Sequence, residues 1–435
     1  MLNIVKNQEA ILEKLGIARL NPMQEEAIRA IDTNAAVVLL SPTGTGKTLA
    51  FLLPLLKTLD IEVKEVQALI LVPSRELAIQ IEQVTREMGS GFKANAVYGG
   101  RAIAKDKAEL SHSPAILIGT PGRVGDHIRR ETISVNQIKT LILDEFDKSL
   151  EVGFEEEMRE IISSLPYLEK RILTSATYKA EIPKFTGLID PVTVNYLTVE
   201  IPNLSLSIIK SPERNKLKSL GALLNSLGTG SGIIFCNFKD SIQEVSDFLT
   251  SEKLSHVTFH GGMEQKDRER ALIKFRNGTS RLILATDLAA RGIDIPHIDF
   301  IIHYQLPHSS QEFTHRNGRT ARMHEKGNAY VLQWENEILP EFIKPTIHKP
   351  KINITEENLN WKTLFISGGR KDKISKGDIA GLFFKQGNLR HEELGNIELK
   401  QDCAFVAVPA EKASELIEIL NNSKLKKKKV RVYLI

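Results

Sequence analysis

The sequence predicts an α/β protein in which two tandem parallel-sheet domains precede a smaller α+β unit. Its 435 residues suffice for two or three domains, each with its own core. Apolar strand-like runs alternate with helical stretches as far as a polar connection near residue 200, and the same alternation then begins again. We predict domains at 1–203, 204–345 and 360–435, with a polar linker at 346–359.

The predicted strands are short apolar runs, as expected for parallel strands that are buried on both faces. In the first domain they lie at 35–40, 67–72, 115–119, 140–143 and 171–174. The second domain has equivalent runs at 232–236, 256–259, 281–285 and 300–302. The last unit has predicted strands at 363–367, 396–399, 403–408 and 430–434, and predicted helices at 376–384 and 410–421, in the order βαββαβ.

Composition argues against a membrane or secreted protein. No apolar stretch approaches membrane-spanning length, and the N-terminus lacks a basic segment followed by an apolar one. Cys236 and Cys403 lie in strand-like runs without metal-ligand spacing, so we expect reduced, buried thiols. These features favour a cytoplasmic protein with no membrane partner.

The basic charge is concentrated in the last unit. The whole chain has a net charge of +4, whereas residues from 360 onward have +6 and residues 1–359 have −2. Such a unit suggests a polyanionic partner, although a run such as Lys426–Lys429 is by itself more often just a solvated surface.

A phosphate-binding loop is predicted directly after the apolar run 35–40. It consists of Ser41, Pro42, Thr43, Gly44, Thr45, Gly46, Lys47 and Thr48. Its glycines allow backbone N–H groups to surround a phosphate, Lys47 reaches the outer phosphates, and the Thr48 hydroxyl is placed to hold Mg²⁺. The strict pattern requires glycine at the first position, where this chain has Ser41. A glycine-rich loop that binds nothing is the alternative.

A second predicted strand end carries acids. Asp144 and Glu145 follow the apolar run 140–143, and ligands of open α/β sheets bind at the carboxyl ends of strands. Asp144 can hold Mg²⁺, commonly through water, while Glu145 can orient and deprotonate an attacking water. An acidic helix cap is the alternative reading.

These two sites belong to an ordered series of motifs through which the sequence resembles the DEAD-box RNA helicases over essentially its whole length. The others are 73–78 (Pro-Ser-Arg-Glu-Leu-Ala), 99–100 (Gly-Gly), 120–123 (Thr-Pro-Gly-Arg), 175–177 (Ser-Ala-Thr), 233–236, Gln265 with Arg268, 285–287 with 291–294, and 315–322. The resemblance implies two RecA-like domains and an RNA-dependent ATPase that unwinds or remodels RNA.

The resemblance also implies roles at the nucleotide. Gln24 corresponds to the residue that reads adenine, which makes ATP the expected nucleotide, with Mg²⁺. Arg319 and Arg322 correspond to arginine fingers that meet the γ-phosphate when the domains close, and Asp294 to a ribose contact. The family usually has an upstream aromatic that stacks on adenine, but no Phe, Tyr or Trp occurs among residues 1–24.

Further roles implied by the resemblance concern RNA and its coupling to hydrolysis. RNA contacts correspond to Arg75, Gly100, Thr120, Arg123, Arg268 and Thr286. Coupling residues correspond to Ser175, Thr177, Asp147 and His315. Because such RNA contacts bind phosphates and 2′-hydroxyls without reading bases, we expect a core that is blind to sequence and prefers RNA to DNA.

Two residues depart from the family pattern. Phe146 stands where the family has Ala, and Gln305 stands where Asp is usual. Phe146 adds volume beside the acids without changing their charge, so we expect altered packing and retained ATPase activity.

The last unit resembles the DbpA-type RNA-binding domain, an RRM-like fold appended to some DEAD-box proteins, in segments 364–371, 374–379, 404–408 and 430–432. Phe365 and Phe405 are candidates for base stacking or for the core, while Arg370, Lys371 and the Lys424–Lys429 run are expected RNA contacts. The resemblance implies structured ribosomal RNA and pre-ribosomal particles of the large subunit as partners, for a monomeric protein. The alternatives are a non-catalytic RNA-binding scaffold and a DNA-acting helicase.

Overall fold

In the computed structural model, residues 7–42, 44–177, 182–197, 204–287, 298–320, 327–344 and 361–435 are described. They form two units: the first extends to residue 197 and the second begins at residue 204. The predicted boundary between 203 and 204 lies at the end of a stretch that is not described, and the predicted linker 346–359 lies within another. Both therefore stay predictions. No helix of the described residues is long and apolar enough to cross a membrane.

The first unit is a seven-stranded, wholly parallel sheet with strand order β3-β4-β2-β5-β6-β1-β7. Its strands are β1 (Ala36–Leu40), β2 (Ala68–Leu71), β3 (Ala94–Val97), β4 (Ile116–Gly119), β5 (Thr140–Leu143), β6 (Lys170–Ser175) and β7 (Val192–Asn195). Its helices are α1 (Gln8–Leu15), α2 (Pro22–Thr33), α3 (Lys47–Thr58), α4 (Arg75–Met88), α5 (Ile103–Leu110), α6 (Pro121–Arg129), α7 (Phe146–Val152) and α8 (Glu155–Ser163).

Helices cover both faces of this sheet because its strands are apolar on both sides. Val37 and Leu39 belong to one hydrophobic cluster with α2, α3 and α4, whereas Val38 and Leu40 belong to a second cluster with α6 and α8. Successive residues of a strand point to opposite faces, so each apolar run supplies both clusters. Because all seven strands are parallel, their carboxyl ends lie at one edge of the sheet.

The second unit begins with a six-stranded parallel sheet with strand order β10-β11-β9-β12-β13-β8. Its strands are β8 (Leu204–Ser211), β9 (Gly232–Phe235), β10 (His256–Phe259), β11 (Leu282–Ala285), β12 (Phe300–His303) and β13 (Gly327–Trp334). Its described helices are α9 (Leu217–Ser226), α10 (Lys239–Ser251), α11 (Gln265–Arg276) and α12 (Ser310–Asn317). The predicted fold class, two RecA-like parallel sheets followed by a small α+β unit, is confirmed.

The rest of the second unit is a small domain with a four-stranded antiparallel sheet in the order β15-β16-β14-β19. The four strands of this sheet are β14 (Trp361–Ile366), β15 (Ile397–Leu399), β16 (Ala404–Pro409) and β19 (Val432–Leu434), and a separate pair consists of β17 (Lys424–Leu425) and β18 (Lys428–Lys429). Its helices are α13 (Lys376–Lys385) and α14 (Ala413–Leu420). Strands β17 and β18 form a hairpin where the sequence predicted only a basic loop.

The two candidate aromatics of this sheet lie on the face opposite its core. Leu364, Ile366 and Val406 alternate with them along the strands and belong to the core beneath the helices. Phe365 packs edge-on against Phe405 at a centroid distance of 5.6 Å and stacks on Tyr433 at 4.6 Å. Tyr433 is a member of this aromatic group that the sequence analysis missed.

The same sheet face contacts the end of α11. Thr363 is fully buried, and its hydroxyl accepts a hydrogen bond from Asn277 Nδ2 at 3.1 Å and lies 2.7 Å from Thr279 Oγ1. Arg276 Nη1 pairs with Glu398 Oε1 at 3.2 Å. The small domain is thus attached to the second parallel sheet through polar contacts at one end of its sheet face.

The two cysteines are unpaired thiols. Cys236 is buried as predicted, and burial raises the pKa of its thiol to about 12. Cys403 is only half-buried, so the prediction of full burial was wrong for this residue; partial burial still raises the pKa of its thiol to about 11. Both groups are protonated at neutral pH and hence poor nucleophiles.

Replacing Thr363 by Arg should detach the small domain from α11, because the new charge would have to be buried beside Asn277 and Thr279 without a partner. We expect hydrogen exchange to accelerate at the amides of residues 277–280 while the amide of Val406, in the centre of the small sheet, keeps its protection. Ser414→Arg adds the same charge at an exposed site and serves as control. Unchanged exchange at 277–280 in Thr363→Arg would contradict the attachment.

Candidate functional site

The predicted phosphate loop connects β1 to α3. Gly44 and Gly46 have φ values of 81° and 86°, in the left-handed region that favours glycine. A Cβ atom at Gly46 would come within 2.3 Å of Gln24 Nε2, so a larger residue there would displace the Gln24 side chain. Thr43 lies outside the described residues. The loop thus has the tight glycine turn that a phosphate cradle requires.

Ser41, the departure from the strict loop pattern, fits the turn and contributes to it. Its side chain is fully buried, and its hydroxyl lies 2.8 Å from Thr45 Oγ1. The Thr45 hydroxyl donates in turn to the Pro42 carbonyl at 2.9 Å. A serine at this position therefore adds a bond across the loop that glycine would lack.

Lys47 begins α3 and is almost fully buried. Its ammonium donates to the carbonyl oxygens of Ser41 at 2.5 Å and Pro42 at 3.0 Å, so it lies inside the curve of the loop. Thr48, half-buried, is the next residue of the helix. Both side chains are thus placed by the first turn of α3, where helix N–H groups also favour anions.

Gln24 is held against the phosphate loop. It is buried and forms a capping box with Asn21, whose N–H donates to Gln24 Oε1 at 3.0 Å. Its Nε2 donates to the Gly46 carbonyl at 3.2 Å, and Asn21 Nδ2 donates to the Thr45 carbonyl at 3.1 Å. The start of α2 and the loop therefore form one hydrogen-bonded assembly.

The two acids follow β5 as predicted. Asp144 is buried, and burial raises the pKa of its carboxyl group, while the Thr174 hydroxyl and the Lys47 ammonium act in the opposite direction. Glu145 precedes α7 with φ 47° and ψ 48°, a left-handed conformation that is uncommon for a residue other than glycine. Because β6 alone separates β1 from β5, Lys47 and Asp144 lie near the same part of the sheet edge.

The predicted coupling residues of the first unit are joined by hydrogen bonds. Thr177 Oγ1 donates to Asp147 Oδ2 at 2.7 Å, which links the segment after β6 to α7. Ser175 Oγ donates to the Thr177 carbonyl at 2.7 Å. A shift of either segment would therefore be transmitted to the other. His315, the fourth predicted coupling residue, is buried in α12 of the second unit.

Phe146 points away from the acids and into the hydrophobic core. It is 3% exposed, belongs to the cluster that contains Leu143, and packs against Phe185 with a ring-centroid distance of 6.3 Å. Its volume is accommodated by apolar neighbours on the α6–α8 face of the sheet. The Ala-to-Phe departure thus changes packing beneath the acids and leaves their polar contacts intact.

Predicted RNA contacts lie after neighbouring strands in both units. Arg75 follows β2, and its guanidinium lies so close to Gly100, after β3, that a Cβ atom at Gly100 would come within 2.5 Å of Arg75 Nη1. Thr120 is buried and follows β4. In the second unit, Arg268 lies over the Phe259 ring at 4.9 Å after β10, and Thr286 follows the adjacent β11. Each set is gathered at one sheet edge.

Arg123 takes part in a buried ionic network that the sequence analysis missed. Its Nε donates to Asp106 Oδ2 at 2.7 Å, and its Nη2 donates to the Arg101 carbonyl. Asp106 is fully buried and also contacts Arg101 Nε at 3.1 Å and His127 Nε2 at 3.2 Å. Asp106 thereby joins the loop after β3 to helix α6, although no sequence pattern had marked it.

A second buried network surrounds Arg316 in the second unit. The fully buried guanidinium forms two hydrogen bonds to Asp287, at 2.6 and 2.7 Å, and donates to Asn237 Oδ1 at 2.7 Å. Gln305 accepts from the Asn237 N–H at 2.7 Å through its side-chain oxygen, and its carbonyl accepts from Arg316. Gln305 therefore supplies an acceptor at a position where Asp is usual. Arg319 is buried just after α12.

Two predicted nucleotide contacts, Arg322 and Asp294, lie outside the described residues. In the small domain, Arg370 and Lys371 form a turn after β14, and Lys371 is exposed. Lys428 pairs with Asp372, and Lys426 with Asp378, both at 2.7 Å, and the Lys426 bond holds the pKa of Asp378 at about 2. These pairs fasten the β17–β18 hairpin to the turn and to α13, while Lys427 and Lys429 are exposed.

Comparison with known proteins covers nearly the whole chain. Residues 21–185 match the DEAD/DEAH box helicase family, residues 215–324 the helicase conserved C-terminal domain, and residues 363–434 the DbpA RNA binding domain. The ATP-dependent RNA helicase DbpA of Bacillus subtilis (strain 168) is 32% identical over an alignment of 458 positions, which covers 97% of this chain and 96% of that protein. The ATP-dependent RNA helicase DbpA of Escherichia coli (strain K12) is 31% identical over an alignment of 439 positions, which covers 98% of this chain and 96% of that protein.

A solved structure supports the same relationship. S. cerevisiae Dbp5 bound to RNA and ADP BeF3 superimposes with a TM-score of 0.69 at 27% identity, over 77% of this chain and 89% of that chain.

Replacing Phe146 by Ala should lower the free energy of unfolding of the first unit by about 3–5 kcal/mol, the usual cost of a Phe-to-Ala cavity in a core. ATPase activity measured well below the melting temperature should persist, because the ring packs in the apolar cluster with Leu143 and Phe185 and carries no polar group. Urea titration and an ATPase assay check the two parts, with Phe146→Leu as a milder control. An unchanged urea midpoint with lost turnover would contradict the structural role of Phe146.

Proposed function

Because the chain belongs to the DbpA-type DEAD-box ATP-dependent RNA helicases, we propose that it separates short stretches of structured RNA and that its target is ribosomal RNA of the assembling large subunit. Pre-ribosomal particles are its proposed partners, and we propose a monomer that acts in the cytoplasm. The observation that carries the proposal is the common sheet edge at which the phosphate loop, Asp144 and Glu145 meet, with a fully buried Thr174 between the two acids and the loop.

The residues at this edge suit ATP hydrolysis. Lys47 would bind the outer phosphates, and Gln24, already bonded to the loop, would read adenine. Glu145 would accept the proton of the attacking water. Arg319 and Arg322 of the second unit would stabilise charge on the transferring phosphoryl group, which is worth about 10³- to 10⁵-fold in rate for such arginines. Asp294 would contact the ribose.

The donor set fits Mg²⁺. Mg²⁺ is usually held by one or two carboxylates, waters and the phosphates of its substrate, and Asp144 presents a buried carboxylate near Lys47. Thr48 and Asp144 would hold the ion, which would supply positive charge at the phosphate oxygens when bound.

RNA would bind along the strand ends. Backbone groups and hydroxyls at Gly100, Thr120 and Thr286, with the guanidinium groups of Arg75, Arg123 and Arg268, recognise phosphates and 2′-hydroxyls but not bases. Arg123 would act from its ion pair with Asp106. Closure of the two domains on ATP and RNA would bend one strand and release its partner, and Ser175, Thr177, Asp147 and His315 would couple this step to hydrolysis.

The small domain would choose the target. One end of its sheet face is attached to α11. Lys371 on the turn and Lys427 and Lys429 on the hairpin are exposed, and these three lysines form no ion pair within the described part of the chain. We therefore propose these lysines, with Arg370, as contacts to the phosphates of a structured ribosomal hairpin.

Glu145→Gln should reduce RNA-stimulated ATPase activity by about 10² to 10⁴-fold, the usual contribution of a general base, because an amide cannot take the proton. Affinity for ATP should stay within about twofold. Glu169→Gln makes the same change on the surface and should behave like the parent. Turnover of Glu145→Gln equal to that of the parent would exclude Glu145 as the base.

The same assay with RNA and DNA of equal length distinguishes the proposed function from its alternatives. A DNA-acting helicase would be stimulated by DNA, and a non-catalytic RNA-binding scaffold would bind RNA without hydrolysing ATP. Stimulation by RNA alone is the expected result.

Replacing the three exposed lysines by Gln should weaken binding to a large-subunit ribosomal hairpin and should reduce the salt dependence of log affinity by about 0.7 to 0.9 for each phosphate contact that is lost. The control replaces three exposed lysines of the first unit: Lys57, Lys64 and Lys139. A scrambled hairpin of equal length tests specificity. Equal affinity of the parent for both hairpins would remove the ribosomal assignment.

A further inference from the structure

One buried hydroxyl contacts both Asp144 and the backbone of Glu145 and has no role in the motifs. Thr174 is the residue before Ser175 in β6, and its side chain is fully buried. Strands β5 and β6 are paired in parallel with Leu143 opposite Leu173. Asp144, the first residue after β5, therefore lies beside Thr174, which is still within β6.

The Thr174 hydroxyl serves as donor and acceptor at once. It donates to Asp144 Oδ1 and accepts from the backbone N–H of Glu145 at an N···O distance of 3.2 Å. The same N–H lies 3.1 Å from Asp144 Oδ1. The three polar groups thus form a closed triangle in which each has a partner.

This arrangement leaves the Asp144 carboxylate with one occupied and one available oxygen. Oδ1 accepts two of the three hydrogen bonds of the triangle, and within the described residues no hydrogen bond reaches Oδ2. Since the carboxylate is buried, its orientation is set by this contact and not by solvent. The hydroxyl thereby determines which oxygen of Asp144 can serve as a ligand.

The triangle also holds the backbone of Glu145. That residue has a left-handed conformation that non-glycine residues adopt only where their surroundings impose it. A hydrogen bond from its N–H to Thr174 is a direct restraint on this conformation, and the Glu145 carboxylate projects from the restrained backbone.

We propose that Thr174 is a positioning residue for ATP hydrolysis: its hydroxyl orients Asp144 toward Mg²⁺ and fixes the backbone of Glu145. The inference rests on the proposed function and extends it to a residue outside the family motifs. Because β6 continues into Ser175 and Thr177, the same strand end holds Asp144, Glu145 and Asp147.

The test compares Thr174→Val, which keeps the shape but lacks the hydroxyl, with Thr174→Ser, which keeps the hydroxyl. Binding of a fluorescent ATP analogue to the full chain is measured over a Mg²⁺ titration. In Thr174→Val, the Mg²⁺ concentration for half-maximal binding should rise about tenfold, as expected from a lost hydrogen bond to a charged group, and RNA-stimulated kcat should fall by at least a similar factor. Thr174→Ser should stay within about twofold of the parent.

The control is Thr85→Val. Thr85 is likewise buried, but its hydroxyl donates to the Ile81 carbonyl at 2.8 Å, within α4. Both valine variants should lower the melting temperature, whereas only Thr174→Val should shift the Mg²⁺ midpoint. If Thr174→Val does not fold, Thr174→Ala takes its place.

Equal Mg²⁺ midpoints and kcat in Thr174→Val and Thr85→Val would overturn the proposal, since Thr174 would then be a purely structural residue. Absence of ATPase activity in the parent would instead refute the proposed function. In that case a shifted Mg²⁺ midpoint in Thr174→Val would still support the positioning of Asp144.

Discussion

Parallel pairing of the strands is the constraint on which the rest of this structure depends. A parallel sheet requires apolar strands and helices on both faces, which leaves the strand ends as the place for polar groups. Because every strand of a sheet then ends at the same edge, Lys47, Asp144 and Thr174 are gathered from segments that are up to about 130 residues apart in the chain. The second sheet brings Arg268 and Thr286 together in the same way.

Burial of charge at these edges is compensated by hydrogen bonds in each case. Asp106 has three cationic or imidazole neighbours, and Arg316 is paired with Asp287 and also bonded to Asn237 and to the Gln305 carbonyl. An unpaired charge in such places would cost several kcal/mol, so each network is stable only when complete. The networks therefore act as rigid supports for the loops that leave the strands.

Much of this could be predicted from sequence because it depends on local patterns. Apolar runs indicated the strands, and the glycines with Lys47 and the acids at 144–145 marked the main site. Other features depend on register between distant strands, which a linear pattern does not contain. Thr174 is an ordinary strand residue until β6 is aligned with β5, and the Lys426 and Lys428 ion pairs appear only when the hairpin folds against α13 and the turn before it.

The two departures from the family pattern differ in kind: one changes a charge and the other changes packing. Gln305 gives up a negative charge but keeps an acceptor for the Asn237 N–H, while Arg316 retains its charge partner in Asp287. Phe146 adds a ring, yet it is directed to an apolar cluster that includes Phe185. Neither change alters the polar groups around Asp144, Glu145 and Thr174. Both departures thus lie where an alternative partner or apolar volume is present, whereas the hydrogen-bonded triangle, on which we propose that hydrolysis depends, has no such alternative.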